Sequence, residues 1–296
     1  MTDPKDSWIP LSSAELHVEV NPLGAQLSTL RDRNGHDLLW NGDPAIWNGR
    51  APLLFPIVGE LSNGRYRVGD ETYQLSRHGF ARGRLFEVVA ATADSATFRL
   101  RADESTLPVY PFRFELDVRF VVSGATLSIT SAVRNMGSTG MPASFGYHPA
   151  FRWPLPYGQE RAAHSIEFAT EEPAPIRQLN AVGLLRSEPR PTPVSGKRLV
   201  LEDSLFQNDA LIFDQVRSRT VSYGAPSGPR IQVSFPELPY LGIWTKPGAA
   251  FICIEPWHGM ADPAGFTGEF FTKPGVFTVP AGGTRSLEMT ITLTGT

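Results

Sequence analysis

One cysteine, Cys253, stands in the whole of the 296-residue sequence, which excludes an internal disulfide. It sits in the apolar run Phe251-Ile252-Cys253-Ile254 and reads as a buried structural thiol rather than a nucleophile. No stretch approaches the ~18 apolar residues of a membrane span. The opening Met1-Thr2-Asp3-Pro4-Lys5-Asp6 has neither a basic region nor an apolar segment, so a cytoplasmic location and no membrane partner are expected. Charge of one sign is also lacking: 27 Lys+Arg against 30 Asp+Glu leave a net −3, too weak a field to gather a polyanion, and nucleic acid is not an expected partner. There is no Gly-rich phosphate loop and no Gly-x-Ser-x-Gly elbow, so nucleotide and serine-hydrolase chemistry fall away. Helical periodicity is missing over any window longer than about ten residues. With 27 Gly and 26 Pro spread evenly, long helices have little room.

What is present is strand patterning. Phe112, Phe114, Leu116, Val118, Phe120 and Val122 alternate with Arg113, Glu115, Asp117 and Arg119, and Leu287, Met289, Ile291 and Leu293 alternate with Glu288 and threonines. Successive side chains of a strand point to opposite faces, so each run predicts one face in a core and one in water. Leu16-Val18-Val20 and Leu127-Ile129 repeat the pattern, and Val68-Gly69-Asp70-Glu71 predicts a hairpin between Arg65–Val68 and Thr72–Leu75. The Pro-rich stretch from Glu171 to Pro193 reads as a long surface loop, because strand patterning resumes on both sides of it. These signals predict an all-β, antiparallel chain with one or two short helical turns, stacked as two sheets or closed into a barrel to protect its edges. Residues 1–296 read as a single domain, with 1–12 a flexible N-terminal segment.

Chemistry-bearing residues are few. His17, His36 and His164 sit in ordinary strand, turn and loop contexts. His78 lies in Arg77-His78-Gly79-Phe80-Ala81-Arg82, where a glycine beside the imidazole lets another group approach closely. His148 ends a strand in Ser144-Phe145-Gly146-Tyr147-His148-Pro149-Ala150-Phe151, where Pro149 stops the ladder. Glu255 ends the apolar run Phe251–Ile254 and precedes Pro256-Trp257-His258-Gly259. A carboxylate there is partly desolvated, hence a stronger base, and Trp257 offers a face for a sugar ring. The residues alone leave open that Glu255 merely pairs with an arginine. Glu255 and His258 also form Glu-x-x-His, but Pro256 and the strand context argue against the helix that makes this a metal motif, and no metal is expected.

Taken in order, Asn21-Pro22-Leu23-Gly24-Ala25, Phe55-Pro56-Ile57-Val58-Gly59, His78-Gly79-Phe80-Ala81-Arg82, Phe145-Gly146-Tyr147-His148-Pro149-Ala150-Phe151, Asn208-Asp209-Ala210-Leu211-Ile212-Phe213 and Ile254-Glu255-Pro256-Trp257-His258-Gly259 resemble the aldose 1-epimerase (galactose mutarotase) superfamily. So does the tail with Lys273-Pro274-Gly275 and Val279-Pro280-Ala281-Gly282. The resemblance implies a large antiparallel β-supersandwich that binds a small-molecule sugar and needs no cofactor. It implies Glu255 as general base, His148 as general acid, His78 and Asp209 as ligands to sugar hydroxyls, and Arg82 as a supporting group. A carboxylate close to His148 would raise the protonated fraction of that imidazole. His-Gly-Phe-Ala-Arg and Gly-Tyr-His-Pro-Ala-Phe depart from the galactose-mutarotase forms, which leaves the sugar open. A hexose-6-phosphate 1-epimerase would need cations for the phosphate, for which Arg50, Arg82 and Arg84 are candidates. A sugar-binding protein without catalysis is a further reading, and a monomer and a homodimer are equally compatible with the sequence.

Overall fold

The computed structural model describes residues 8–295. Its long sheet runs, strand beside strand, Arg198–Val200, Ser165–Phe168, Thr220–Gly224, Arg230–Ser234, Thr284–Thr294, Thr126–Asn135, Phe114–Ser123, Ser95–Arg101 and Glu87–Ala91. Every pairing in it is antiparallel. The alternation noted above decides which face is buried: Phe114, Leu116, Val118, Phe120 and Val122 enter the main core beside Leu287, Met289 and Ile291 of the next strand but one. Each such large apolar side chain contributes roughly 1.5–3 kcal/mol by leaving water.

A second sheet carries Leu211–Phe213, Tyr240–Trp244, Phe251–His258, Phe145–Tyr147 and Leu53–Leu54, with Ala150–Arg152 also paired to Phe251–His258. The two sheets share one core. Ile252, Ile254, Leu241 and Ile243 pack into it from this side, and the buried Tyr147 hydroxyl lies within hydrogen-bonding distance of the Ile129 and Leu287 carbonyls of the long sheet. Because Ile252 and Ile254 face inward, Cys253, Glu255 and Trp257 must face the other way. One strand therefore presents both the carboxylate and the indole to the opposite surface. A three-stranded sheet (Ile9–Ser12, Leu16–Asn21, Gln26–Asp32) and two hairpin-sized ladders complete the architecture.

Several expectations are corrected here. Ile9–Ser12 is a strand paired to Leu16–Asn21, so the segment read as flexible, 1–12, is ordered from Ile9 onward, while 1–7 lies outside the described residues. Helical structure among the described residues consists of five short 3₁₀ turns, more than the one or two expected. Glu115 and Asp117 were expected in water yet are only 8 % exposed, because arginines of neighbouring strands cover them. The hairpin is present as Arg65–Val68 with Glu71–Gln74. Among the described residues no helix is long and apolar enough to cross a membrane.

Candidate active site

The outward face of the second sheet floors a cleft of about 240 Å³, at the small end of small-molecule sites. Glu255 and Trp257 rise from strand Phe251–His258. Trp257 lies across two glycines, Gly146 opposite it on one neighbouring strand and Gly242, the partner of Glu255, on the other: a Cβ at Gly242 would come within 2.4 Å of the indole, and one at Gly146 within 2.6 Å. His148 comes from the break between Phe145–Tyr147 and Ala150–Arg152, both of which pair with Phe251–His258. Pro149 interrupts the ladder there and leaves the imidazole beside Glu255, with His148 Nε2 3.1 Å from Glu255 Oε2.

That contact is buried. Glu255 is 2 % exposed, and desolvation pushes its carboxyl well above the ordinary carboxylate range despite the opposing field of Arg77. Desolvation likewise pushes the His148 imidazole down, to about 3, and the cations Arg82 and Arg77 add to the fall. The expectation that a carboxylate neighbour would raise the protonated fraction of His148 is therefore overturned. Burial penalises the ion pair, so the two groups share one proton between them and carry no net charge. His148 Nδ1 has no hydrogen-bond partner, and its ring is held by aromatic faces instead: Trp47 stacked at 5.3 Å and Trp244 edge-on at 6.0 Å.

His78 sits edge-on to His148 at 5.9 Å, with φ of 68°. Its neighbour Gly79 has no room for a side chain, since a Cβ would lie 2.3 Å from the Phe55 carbonyl oxygen. The Gly59 N–H donates to His78 Nδ1 at 3.1 Å, so Nδ1 accepts and the imidazole proton resides on Nε2. Burial and the nearby His148 keep this ring's pKa well below the usual histidine value. It is a neutral donor in the cleft wall.

Asp209 (φ 71°) and Arg77 face each other at the rim, 3.6 Å apart, and Arg82 donates to the Arg77 carbonyl at 2.8 Å while lining the same cleft. The structure thus brings Glu255, His148, His78, Asp209, Arg82 and Trp257 together. Arg50 is not among them. Its guanidinium donates to the Ser28 carbonyl at 2.7 Å and covers Trp8 in a separate hollow, while its own carbonyl accepts from Ala150 N–H. Arg84 likewise turns to Ser105. His164, read as a loop residue, is 1 % exposed and accepts the Leu155 N–H, a structural role. Cys253 is buried as expected, yet its sulfur and the His148 and Glu255 donor atoms all lie within 4.8 Å of one another. Trp47, Trp244 and Arg77 were not foreseen. Trp47 precedes Asn48-Gly49 in a turn-rich stretch with no period to mark a face; the only hint for Arg77 was its place beside His78.

Comparison with known proteins bears on this geometry. The aldose 1-epimerase family profile matches residues 9–278. The chain belongs to the aldose 1-epimerase family. Within it, this member is 35 % identical over 263 residues to the chromosomal LacX protein of Lactococcus lactis subsp. lactis, covering 86 % of this chain and 88 % of LacX. Its fold superposes with a TM-score of 0.88 on a galactose mutarotase related enzyme from Lactobacillus acidophilus (29 % identity, 98 % of each chain). It superposes with a TM-score of 0.90 on a galactose mutarotase-like protein from Lactobacillus casei (28 % identity, 97 % of this chain and 100 % of that one).

Proposed function

We propose that this aldose 1-epimerase family member interconverts the α and β anomers of an aldose by ring opening and re-closure at the His148–Glu255 pair. The observation that carries the reading is the 3.1 Å contact between these two buried groups on the floor of the cleft. A cyclic hemiacetal presents its anomeric hydroxyl and ring oxygen on one carbon, so two proton-transfer groups this close reach both. In the reacting form the proton held by the pair sits on His148: Glu255 takes the anomeric proton while His148 protonates the ring oxygen; C1 becomes an aldehyde, C1–C2 rotates, and the reverse transfers close the ring on the other face. The pair holds one proton before opening and one after, changing only which partner carries it. Burial disfavours that charged form at rest, so reaching the imidazolium is part of the barrier.

His78, as a neutral Nε2–H donor, and Asp209, as an acceptor on the rim, orient sugar hydroxyls, Arg82 supports Arg77 beside them, and Trp257 supplies a stacking face. Only protons move, so no cofactor or metal enters the scheme. One observation favours a phosphorylated aldose as a second reading: Arg77 and Arg82 share the rim with a single carboxylate, Asp209.

Polarimetry tests both. Freshly dissolved α-glucose, α-galactose and glucose-6-phosphate are followed to equilibrium with and without protein. Acceleration of one of them, lost in Glu255→Gln, is the expected result. Saturable sugar binding without acceleration would reassign the cleft to a binding protein.

A further inference from the structure

We propose that Trp47 is a positioning residue for the acid–base pair, its indole face fixing the His148 ring against Glu255 and stabilising the imidazolium from which the ring oxygen is protonated. The inference rests on the ring-opening reading above. The two rings are stacked, 5.3 Å between centroids at 30°. With Nδ1 unpartnered, the polar contact on His148 is the 3.1 Å approach of Nε2 to Glu255, and aromatic rings pack around the imidazole.

Trp47 is itself rigidly placed. It packs on Phe251 at 5.3 Å and edge-on to Trp244 at 5.6 Å. Its N–H donates to the Asp43 carbonyl and its carbonyl accepts from Trp40 Nε1, both at 2.8 Å. Gly49 makes room for it: a Cβ there would stand 2.4 Å from the indole. The packing, the glycine and the two hydrogen bonds serve a side chain that forms no part of the main core.

The other groups around His148 explain why a π face matters. Glu255 is the one acceptor. Cys253 is a buried thiol below it, His78 is neutral, and Arg77 and Arg82 on the rim oppose any positive charge on His148. Asp209 bears on Glu255 rather than on the imidazole. An indole face is the remaining source of stabilisation for an imidazolium here, and in a desolvated setting it is worth about 3- to 30-fold in a rate that passes through that cation.

The test uses the full chain carrying Trp47→Leu, Trp47→Phe or Gly49→Ala. In Trp47→Leu, kcat is expected to fall about 3- to 30-fold with KM little changed, and the pH at which the His148 imidazole nitrogens take up a proton, followed by their resonances, to move lower. Trp47→Phe recovers part of both effects, and Gly49→Ala, which displaces the indole without removing it, reproduces the loss. A rise in KM with kcat intact would make Trp47 a sugar platform only and overturn the proposal, as would unchanged resonances. If the wild-type protein accelerates no sugar, the ring-opening reading fails by itself, and the resonance comparison still decides whether Trp47 holds and polarises His148.

Discussion

Two clusters of buried carboxylates occupy this molecule, and they are built in opposite ways. On the long sheet, Asp117 accepts from Arg99 Nη2 at 2.6 Å and lies 3.4 Å from Arg134 Nη2, while Glu115 accepts from Arg134 Nη1 at 2.6 Å and Arg101 Nε at 3.1 Å. Every carboxylate oxygen there meets a guanidinium. In the cleft, Glu255 is at least as buried, yet no guanidinium is in ion-pair contact with it and the partner its carboxyl meets is the His148 imidazole. Burial is alike in the two regions and compensation is not. A fully partnered carboxylate ties strands together; a buried carboxyl facing one imidazole must keep a proton nearby, which equips it to pass that proton on. The Lys273–Asp262 pair behind the cleft belongs with the first kind, since Lys273 Nζ donates at 2.6 Å and the Ser62 N–H saturates the other oxygen at 2.8 Å.

The contrast breaks most visibly through mutation. Glu255→Gln and His148→Ala should each cost ~10²–10⁴-fold in anomerisation rate by polarimetry, with thermal unfolding close to wild type. A wild-type rate in either variant would reverse the assignment. Asp117→Asn should do the opposite, removing about 2–4 kcal/mol of stability in urea titration by leaving Arg99 and Arg134 short of a partner, while the rate per folded molecule is retained. Lost activity without lost stability would erase the distinction between the regions.

The pH profile sharpens it. His148, lowered to about 3, takes up a second proton only as pH falls through that value, and Glu255, raised, gives up the shared one only as pH rises well past the ordinary carboxylate range. The rate should therefore stay level as pH drops below the ordinary histidine value of 6.5, and an acid limb centred there would show a solvated imidazole. Stability follows the whole pair: on unfolding His148 gains a proton below 6.5 while Glu255 loses one above 4.5, so the pair's contribution is level between those values and the melting temperature should decline on its account only as pH falls from 4.5 toward about 3. Smaller effects follow at the periphery. Asp209→Ala should raise KM with kcat largely kept, since Asp209 sits on the rim, whereas Arg50→Ala should leave both constants as they were. A clear rate loss in Arg50→Ala would mean that the separate hollow communicates with the cleft.

Much of this was legible in the sequence. Alternation at Phe114–Val122 and Leu287–Leu293 gave the strands and their buried faces, because side-chain direction on a strand is a local property with period two. The strand break at His148-Pro149 was also local, since proline lacks the N–H that a ladder needs. Cys253 could be placed inside an apolar strand from neighbouring residues alone, whereas Glu255, read as that strand's end, lies within it, because the ladder continues through Pro256 to His258.

Charge state and partnership were decided elsewhere. Glu115 and Asp117 read as water-facing because their covering arginines, Arg99, Arg101 and Arg134, arrive from neighbouring strands, and a period-two pattern says nothing about what lies over a face. Arg50 lines a separate hollow rather than the cleft, which its sequence neighbours could not reveal. Trp47 reaches His148 from a segment about a hundred positions away, where only Gly49 hinted that something needed space. The sequence by itself determined which residues form strands, where those strands break and which residue types carry the acid and the base. Tertiary structure alone decided that His148 and Glu255 share a proton, since desolvation depends on everything packed around a group and no segment specifies that by itself.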